Sequence, residues 1–525
     1  MGSPYLIAHG LGEPIKDAET DFEVPENGNY KVWVRTLDWS ESLGRPGGAG
    51  RFSMTIGGKP LGGELGSGKP AWDWQEAGAV ELEKGKTTLS LRDLTGYDGR
   101  VDAVLLSNEP SFAPPQKFLL EDRIASKIPG APAALENAGD YDLVVVGGGY
   151  GGLGAAISAA RMGCKVALIQ NREVLGGNGS SEIRVWAMGD MPPSEYLMAD
   201  IIREIEDKAI AAVNLLEVKT GKLKQVKGTL FADCTGHGFI GHWAGADLVM
   251  TDKGRMDMSN MWMWKNGEAP ADFREEPWMI KLDEAGFPYP QRNHAEWFWE
   301  GGFDAHPIRD LEQTRDWNLL ASLSAWNAIK NHGVYAARDP QQHKHAQLDW
   351  LAYIGGTRET QQLLGDVVLS DTDIDGKKPF PDGCVLTTWS IDLHVPHPVY
   401  TKANPERLFI SKDIHRYAVD KKIGYPIPYR CFYSRNVPNL FMAGRNISVT
   451  REALGTIRVM KTIGMMGVAV GRAAAICKLH DCKPRDVYQE HLDEVKSLWR
   501  TPGQKRFDSM DELRKSIAEG AVSSR

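Results

Sequence analysis

The sequence predicts an α/β fold in which a domain with a parallel sheet carries an inserted segment and is preceded by an all-β sandwich. Three observations predict it. Residues 1–112 alternate apolar and polar side chains, a glycine-rich turn joins a strand to a helix near residue 147, and a strand, loop and small-residue helix follow residue 436. Alternation with a period of two is typical of strands, and a strand, glycine turn and helix are typical of a parallel βαβ unit.

Composition and charge exclude several classes of protein. At 525 residues the chain is too long for one hydrophobic core, and its net charge of −8 is spread without a basic block, so nucleic acid is not an expected partner. No apolar run is expected to reach the roughly 18 residues of a membrane span. The chain contains no GxSxG, HExxH or P-loop motif, so neither a hydrolase nor a kinase is indicated.

No metal site is predicted. The six cysteines form no CxxC pair and are expected to be buried or free thiols. The stretch "DTDIDG", Asp371–Gly376, is similar to the start of a calcium-binding loop. However, Asp382 stands where the loop needs glutamate, and two prolines interrupt the segment.

Residues 1–112 are predicted to form the β-sandwich. The stretches "NYKVWVRT", "RFSMTIGG", "TTLSLRDL" and "RVDAVLLS" alternate in polarity and are separated by Gly, Asn and Pro. Four tryptophans lie in or beside these strands: Trp33, Trp39, Trp72 and Trp74. They form either a platform for sugar rings or part of the packing. Residues 113–139 are rich in Pro, Ala and Gly and are predicted to be a linker.

The glycine-rich turn begins the second domain. A predicted strand, "LVVV", is followed by Gly147, Gly149 and Gly152 as GxGxxG, then by a helical pattern and a second strand, "KVALIQ". In a dinucleotide-binding unit these glycines permit a tight turn, close approach of a pyrophosphate, and close helix packing, and the helix N-terminus faces the phosphates. An acidic residue is expected after the second strand. This chain has Gln170 there, whose amide can still bind ribose hydroxyls.

Three further segments complete the predicted cofactor site. The stretch "NREVLGGNGSSE" follows the second strand and carries Gly176 and Gly177, and "TLFADCTGHG" ends a strand near Gly236. Near the C-terminus, "NLFMAGRNISVT" is predicted as a strand followed by Gly444 and Arg445. The helix after it is rich in small residues, and its N-terminus can stabilise negative charge on a reduced cofactor.

Four stretches of the chain resemble a known family: "LIQNREVLGGNGSSEIRV", "TRETQQLLGDVVLSDTDI", "FPDGCVLTTWSIDLHVPHP" and "NLFMAGRNISVTREALGTIRVMKTIGMMG". They are similar to the FAD-dependent oxidoreductase family, which is related in fold to the glutathione-reductase and fumarate-reductase flavoproteins, and to its bacterial subgroup labelled xanthan lyase-like. The resemblance implies FAD as the cofactor and a Rossmann-like domain of glutathione-reductase type with an inserted substrate or cap domain. "GSPYLIAHGLG" and "WVRTLDW" resemble the carbohydrate-binding-like sandwich that such proteins carry.

The resemblance and the local patterns together predict the domain bounds and the cofactor site. The FAD-binding domain is predicted in two parts, 140–250 and 405–484, with the substrate or cap domain 251–404 between them and a helical tail, 485–525. The candidate cofactor-binding residues are Gly147, Gly149, Gly152, Gln170, Asn171, Arg172, Gly176, Gly177, Asn178, Ser180, Ser181, Gly236, Gly444, Arg445, Gly464 and Gly467.

Three features depart from the family pattern. Relatives usually have more sequence before "GSPYLIAHGLG", often with an export signal, so the resemblance favours an exported or periplasmic location although no signal peptide follows Met1. Residues 205–230 are shorter than the equivalent strand-bearing segment of relatives. Arg451 stands where relatives often have histidine, so the family role of that position does not carry over directly.

Four residues are candidates for catalysis, each with a structural role as the alternative. His394 and His397 lie in "SIDLHVPHP" after a predicted strand, and a histidine can take the hydroxyl proton when an alcohol is oxidised near neutral pH. Arg451 and Arg458 lie in the segment expected under the flavin, where either could bind a carboxylate or stabilise reduced flavin. The tryptophans of "MWMWK", "PWMIK" and "WFWEGG" suit either sugar rings or the packing of a cap domain.

The function predicted from these features is an FAD-dependent oxidoreductase that oxidises an alcohol of a carbohydrate or sugar-derived substrate by hydride transfer to flavin N5. One alternative is a fumarate-reductase-like enzyme that acts on a C–C bond of a carboxylic acid, with arginines binding the carboxylates. Another is a glycan-binding protein whose flavin is structural. The expected partners are a small-molecule or glycan substrate and an electron acceptor of unspecified kind; a homo-oligomer is left open.

Overall fold

The computed structural model describes residues 5–115, 136–189, 224–290, 297–339, 341–405 and 407–523. Most of the predicted linker, 113–139, and of the short segment 205–230 lies outside the described residues. The strands that flank the linker, Tyr97–Ser107 and Glu136–Val146, are both described and belong to different sheets.

The N-terminal residues form a sandwich of two four-stranded antiparallel sheets. One sheet has the strand order Leu6–His9, Tyr97–Ser107, Gly28–Thr36 and Asp73–Leu82. The other has the order Ala18–Val24, Gly85–Asp93, Phe52–Ile56 and Lys59–Pro60. Val32 and Val34 from the first sheet meet Met54 and Ile56 from the second in one core, because alternate side chains of a strand share a face.

The second domain is built on a four-stranded parallel sheet. Its strand order is Val166–Ile169, Glu136–Val146, Lys224–Asp233 and Leu440–Met442. The helix Tyr150–Arg161, here called the crossover helix, connects the first two strands in sequence. Because the last strand comes from residue 440, the two predicted parts of the cofactor domain meet in one sheet.

The crossover helix packs against a long C-terminal helix, Met460–His480, through a row of glycines. A Cβ atom on Gly467 would overlap the carbonyl oxygen of Gly151, and a Cβ atom on Gly154 would overlap that of Gly464. The two backbones can come this close only because these positions have no side chain. Gly464 and Gly467, which were predicted to bind the cofactor, therefore contact the crossover helix in this structure.

The long C-terminal helix bears on the prediction that no segment of the chain spans a membrane. By length and composition it could cross a membrane, and it is the one such helix among the described residues. However, 89% of its most apolar window is buried inside the protein. Burial in the core of the second domain therefore accounts for its apolar composition.

Small antiparallel sheets lie within the inserted segment, 251–404, or join it to the flanking parts of the second domain, and its long helix is Leu311–Asn331. The paired strands are Leu248–Met250 with Gln361–Leu363, Trp262–Asn266 with Ala346–Leu351, Gly383–Thr387 with Tyr425–Pro428, and Ile391–Pro396 with Ser411–Arg416. Met258–Ser259 pairs with both Glu300–Gly301 and Gly356–Thr357. The shorter described helices are Trp39–Ser42, Phe239–Trp243, Asp371–Asp375, Pro398–Ala403, Arg451–Ile457, Pro484–Gln489, Leu492–Trp499 and Met510–Ser523.

The tryptophan-rich stretches of the inserted segment are mostly core. Six tryptophans of this segment are buried in one aromatic cluster: Trp262, Trp264, Trp278, Trp299, Trp317 and Trp326. Trp278 contacts Trp39 and Tyr97 of the sandwich edge-on, with ring centroids 5.3 and 5.1 Å apart. Packing, rather than a sugar platform, therefore explains these residues and Trp39, whereas Trp297 of "WFWEGG" is half-buried.

A buried ion pair also joins the sandwich to the inserted segment. Both guanidinium Nη atoms of Arg100 donate to the Asp316 carboxylate, at 2.8 and 2.6 Å, and both side chains are buried. Asp316 also accepts from Arg315 Nε and Nη2, at 3.0 and 2.8 Å, so it keeps one cation when Arg100 is replaced. We therefore expect Arg100→Met to lower the free energy of unfolding by about 2–3 kcal/mol, because the buried carboxylate loses its bidentate partner. Urea denaturation followed by tryptophan fluorescence measures the change.

The exposed pair Arg514–Asp511 is the control for this prediction. Arg514→Met should change the free energy of unfolding by at most about 1 kcal/mol, since water screens an exposed pair. If Arg100→Met unfolds at the same urea concentration as the unmodified protein, the buried pair does not hold the sandwich in place.

Candidate active site

The glycine turn forms a cradle at the carboxyl end of the parallel sheet. Gly147 has φ +106°, and a Cβ there would overlap the carbonyl oxygen of Cys234 on the neighbouring strand. A Cβ on Gly152 would overlap the carbonyl oxygen of Gly147. The crossover helix begins after Gly149 with no capping side chain, so its first N–H groups are available to a ligand. Such a helix N-terminus favours a phosphate group.

The second glycine loop lies directly against the first. The Gly176 N–H donates to the Gly148 carbonyl at 2.8 Å, and Gly149 and Gly176 form a parallel bridge. Gly176 and Gly177 both have positive φ, at 111° and 60°, which favours glycine. Asn178 donates from Nδ2 to the carbonyl of Thr357 at 3.1 Å, which ties this loop to the inserted segment.

Gln170 connects the two glycine loops. Its Oε1 accepts from the Gly148 N–H at 2.9 Å, and its Nε2 donates to the Val174 carbonyl at 3.3 Å. In this structure the amide therefore supports the loops, and its contact with a ribose stays a prediction. Nearby, Asn171 and Ser181 are exposed, and Arg172 lies 3.4 Å from the Glu182 carboxylate.

A third loop closes the cradle and places a half-buried cation, Arg445, there. Gly236 has φ +70°, and a Cβ on it would lie 3.0 Å from the Arg445 guanidinium. Burial, followed by the charges of Arg458, Arg172 and Arg358, lowers the pKa of Arg445 to about 10. Among the described residues, no carboxylate lies within 4 Å of Arg445. An anionic ligand would supply the missing countercharge.

Several buried polar atoms around these loops have no hydrogen-bond partner within the described part of the chain. They are Ser180 Oγ, His237 Nε2, Gln362 Nε2, Arg445 Nε, Asn446 Oδ1, Ser448 Oγ and Thr462 Oγ1. Burial and then Arg445 lower the pKa of His237 to about 3, so this ring is neutral. Since buried polar atoms are almost always bonded, these atoms fit a polar ligand that lies along the cradle.

An acid–base cluster lies in the inserted segment, around His394. Its Nδ1 lies 2.7 Å from Glu300 Oε2, and its Nε2 lies 3.4 Å from Asp392 Oδ1. Each of these carboxylates is also paired with an arginine. Arg358 Nε donates to Glu300 at 3.1 Å, and Arg458 Nη2 donates to Asp392 at 3.0 Å.

Both carboxylates of this cluster are ionised near neutral pH. Burial raises the pKa of Glu300, but Arg358 and His394 outweigh it and lower the value to about 2. Burial likewise raises the pKa of Asp392, whereas Arg458 and His394 lower it by more, so the net shift is downward. The His394 ring therefore lies between two negative charges.

Two half-buried tryptophans flank the cluster. The Trp297 ring centroid lies 4.7 Å from that of His394. The Trp389 Nε1–H donates to Asp392 Oδ2 at 3.3 Å. The cluster thus combines a histidine, two carboxylates and two aromatic faces.

Comparison with known families identifies the protein's class. A model of the family described as "FAD dependent oxidoreductase" matches residues 142–209 and 197–497, which is more than half of the chain. The chain belongs to the FAD dependent oxidoreductase family. This oxidoreductase binds FAD, and its glycine cradle, half-buried Arg445 and unpartnered polar atoms fit that cofactor.

Similarity to individual proteins is local. Carotenoid 3,4-desaturase from Haloarcula japonica is 47% identical over 60 residues, which cover 11% of the oxidoreductase and 12% of the desaturase. A family 35 carbohydrate binding module from an environmental isolate covers 20% of the chain and 75% of its own length, with 14% identity and a TM-score of 0.15. A CBM35 from Cellvibrio japonicus Abf62 covers 19% of the chain and 68% of its own length, with 19% identity and a TM-score of 0.15. Scores this low carry no argument about function.

The oxidoreductase brings two of its four predicted catalytic residues together. His394 and Arg458 share Asp392. His397 lies apart, where its Nδ1 accepts from the Val399 N–H at 3.3 Å and caps a short helix. Arg451 donates to the Gly254 carbonyl at 2.7 Å. The structural alternative is therefore favoured for His397 and Arg451.

Sequence reasoning missed three members of the cluster. Asp392 could have been found, because it precedes His394 by two residues and so shares a face of the same strand. Glu300 and Arg358 are 94 and 36 residues away from His394, and no local pattern relates them to it. Arg358 lies in a stretch that was used for the family resemblance, but it was not assigned a role there.

A further buried carboxyl group in the oxidoreductase makes stability depend on pH. Asp257 is buried with no partner for Oδ2 among the described residues. Burial, with Glu300 and Glu359 nearby, raises the pKa of Asp257 well above the usual value despite Arg255. Because the folded pKa is raised, its contribution to stability is present below the unfolded pKa and is lost as pH rises through the folded pKa.

We therefore expect Asp257→Asn to be more stable than the unmodified protein at pH 8, by about 1–2 kcal/mol, with a smaller difference at pH 5. Thermal unfolding of both proteins at pH 5 and pH 8 measures the difference in stability. Asp17→Asn, at an exposed position of the sandwich, serves as the control and should show the same stability relative to the unmodified protein at pH 5 and pH 8. A less stable Asp257→Asn protein at pH 8 would contradict the prediction.

Proposed function

We propose that this oxidoreductase oxidises an alcohol group of a carbohydrate or sugar-derived substrate. The observation that carries the proposal is His394, which lies between the ionised carboxylates of Glu300 and Asp392 with Trp297 beside its ring. Alcohol oxidation needs a base for the hydroxyl proton, and carboxylates bind the remaining hydroxyl groups. An aromatic face suits the C–H face of a sugar ring.

The contacts of His394 support a role as the base. With the Nδ1 proton donated to Glu300, the lone pair stays on Nε2. Nε2 then accepts the substrate's hydroxyl proton, and Asp392 Oδ1 at 3.4 Å stabilises the imidazolium that forms. Arg358 and Arg458 keep both carboxylates ionised throughout.

The residues that would hold FAD are those of the cradle. The turn at Gly147, Gly149 and Gly152 would receive the diphosphate, and Arg445 would neutralise negative charge on the cofactor. Bound FAD supplies the hydride acceptor. We also infer that the parallel sheet and its crossover helix follow the glutathione-reductase type of arrangement, as the order of the glycine motifs in the chain suggests.

One observation favours a second candidate, redox chemistry on a C–C bond of a carboxylic acid. Arg445 is a half-buried cation with no carboxylate partner among the described residues, so it could bind a substrate carboxylate. The other candidate arginines support this reaction less. Arg458 is bonded to Asp392, and Arg451 to the Gly254 carbonyl.

Anaerobic mixing tests these candidates. The purified, FAD-loaded protein would be mixed with glycosides and sugar alcohols, with uronates, and with saturated dicarboxylates, while absorbance near 450 nm is followed. The proposal expects bleaching by the sugar-derived alcohols. Bleaching only by dicarboxylates would select the second candidate, and reduction by none of them would leave a glycan-binding protein with a structural flavin.

A further inference from the structure

A cluster of two histidines and one glutamate lies away from the active site, at the end of the long C-terminal helix. His480 Nε2 is 2.7 Å from Glu494 Oε2, and His491 Nδ1 is 3.2 Å from Glu494 Oε1. The two imidazole rings stack with centroids 3.9 Å apart and planes 12° apart. One ligand atom from each residue lies within 4.8 Å of the other two.

We propose that these three residues form a binding site for a divalent transition metal such as Zn²⁺. Two imidazoles and one carboxylate are a ligand set that Zn²⁺ accepts, with water in the remaining position. The rings are 28% and 16% exposed, so an ion and its water can reach them from solvent.

The three side chains are held on rigid supports. His480 is the last residue of the long helix, which is almost wholly buried. His491 and Glu494 lie at the start of the helix Leu492–Trp499, whose Trp499 Nε1–H donates to the Ala469 carbonyl at 3.3 Å. The backbone supports are therefore fixed, whereas the two nearly parallel imidazole rings must turn before both lone pairs can point at one ion. A bound ion would link the end of the long helix Met460–His480 to the start of the helix Leu492–Trp499.

Calorimetry on the full-length, FAD-loaded protein tests the site. After treatment with EDTA and desalting, the protein is titrated with ZnCl₂, and its melting temperature is recorded with and without the metal. We expect one Zn²⁺ per chain to be bound at this cluster and the melting temperature to rise. His491→Ala and the milder Glu494→Gln should each weaken binding by about tenfold or more and abolish the rise.

Two control variants separate this site from other zinc binders. His332→Ala removes a histidine that faces a single glutamate, Glu275, at 3.0 Å and should leave Zn²⁺ affinity unchanged. Cys482→Ser removes a half-buried thiol near the site and should also leave it unchanged. Zinc affinity that is the same in His491→Ala and Glu494→Gln as in the unmodified protein, or no binding at all, would overturn the proposal.

Discussion

Gly152→Ala is expected to abolish stable FAD loading and to lower the free energy of unfolding by about 3 kcal/mol or more. The added Cβ would overlap the carbonyl oxygen of Gly147. That carbonyl cannot move away easily, because Gly147 also donates its N–H to the Ile169 carbonyl at 2.8 Å and has a positive φ. The substitution therefore pushes apart the turn and the crossover helix. Flavin absorbance per chain and urea denaturation measure the two effects.

Gly149→Ala separates cofactor binding from folding. A Cβ there meets nothing closer than 3.7 Å, from Gly177, and the backbone at φ −74° accepts any residue. The apoprotein should therefore keep its stability, while FAD affinity falls by about tenfold or more, because the methyl group lies where the pyrophosphate approaches. Gly62→Ala, at an open position in the sandwich, is the control and should change neither property. Normal FAD content in Gly152→Ala would contradict the assignment of the cradle.

Glu300→Gln is expected to slow flavin reduction by the substrate by about 100-fold or more, because it removes the charge that orients His394.

Glu300→Gln is also expected to lower the free energy of unfolding, and this effect does not depend on the identity of the substrate. Glu300 has a folded pKa of about 2, lowered from 4.5, which corresponds to about 3 kcal/mol. A lowered carboxyl pKa stabilises the fold above the unfolded pKa, and that contribution is lost as pH falls from about 4.5 towards 2.

The pH dependence of unfolding checks this prediction. At pH 7 Glu300→Gln should be about 3–5 kcal/mol less stable than the unmodified protein, since Arg358 stays buried without its carboxylate. The difference in the free energy of unfolding between Glu300→Gln and the unmodified protein should narrow as the pH falls below about 4.5. Glu275→Gln removes an exposed carboxylate and is the matched control, with no expected effect on reduction. A constant difference between pH 7 and pH 3 would count against an ionised Glu300, and an unchanged reduction rate would remove His394 from the proposed chemistry.

Much of the architecture follows from local patterns in the chain. The alternation through Val32 and Val34 predicts the sandwich, and the spacing of Gly147, Gly149 and Gly152 predicts the strand, turn and helix that the structure contains. These patterns succeed because backbone conformation and the burial of one face depend mainly on neighbouring residues. The family resemblance extends the same success to FAD, since its motifs lie along one cradle.

The tryptophans show where such patterns stop being informative. Trp262 and Trp297 have the same side chain, yet the first is core and the second lies half-buried beside His394. Local sequence does not distinguish the two, because exposure depends on which distant element covers each ring. The same holds for Met460–His480, whose apolar composition suits either a bilayer or a buried core helix.

The amino-acid sequence by itself determined the glycine turn of the cofactor cradle and the strands of the sandwich, since each is encoded by residues close together in the chain, and the family resemblance added FAD. Only the tertiary structure decided which charges meet. Glu300 reaches His394 across 94 residues, and Arg358 reaches Glu300 across 58. The pKa of each group depends on burial and on these distant partners, so the acid–base cluster exists only after the inserted segment has folded.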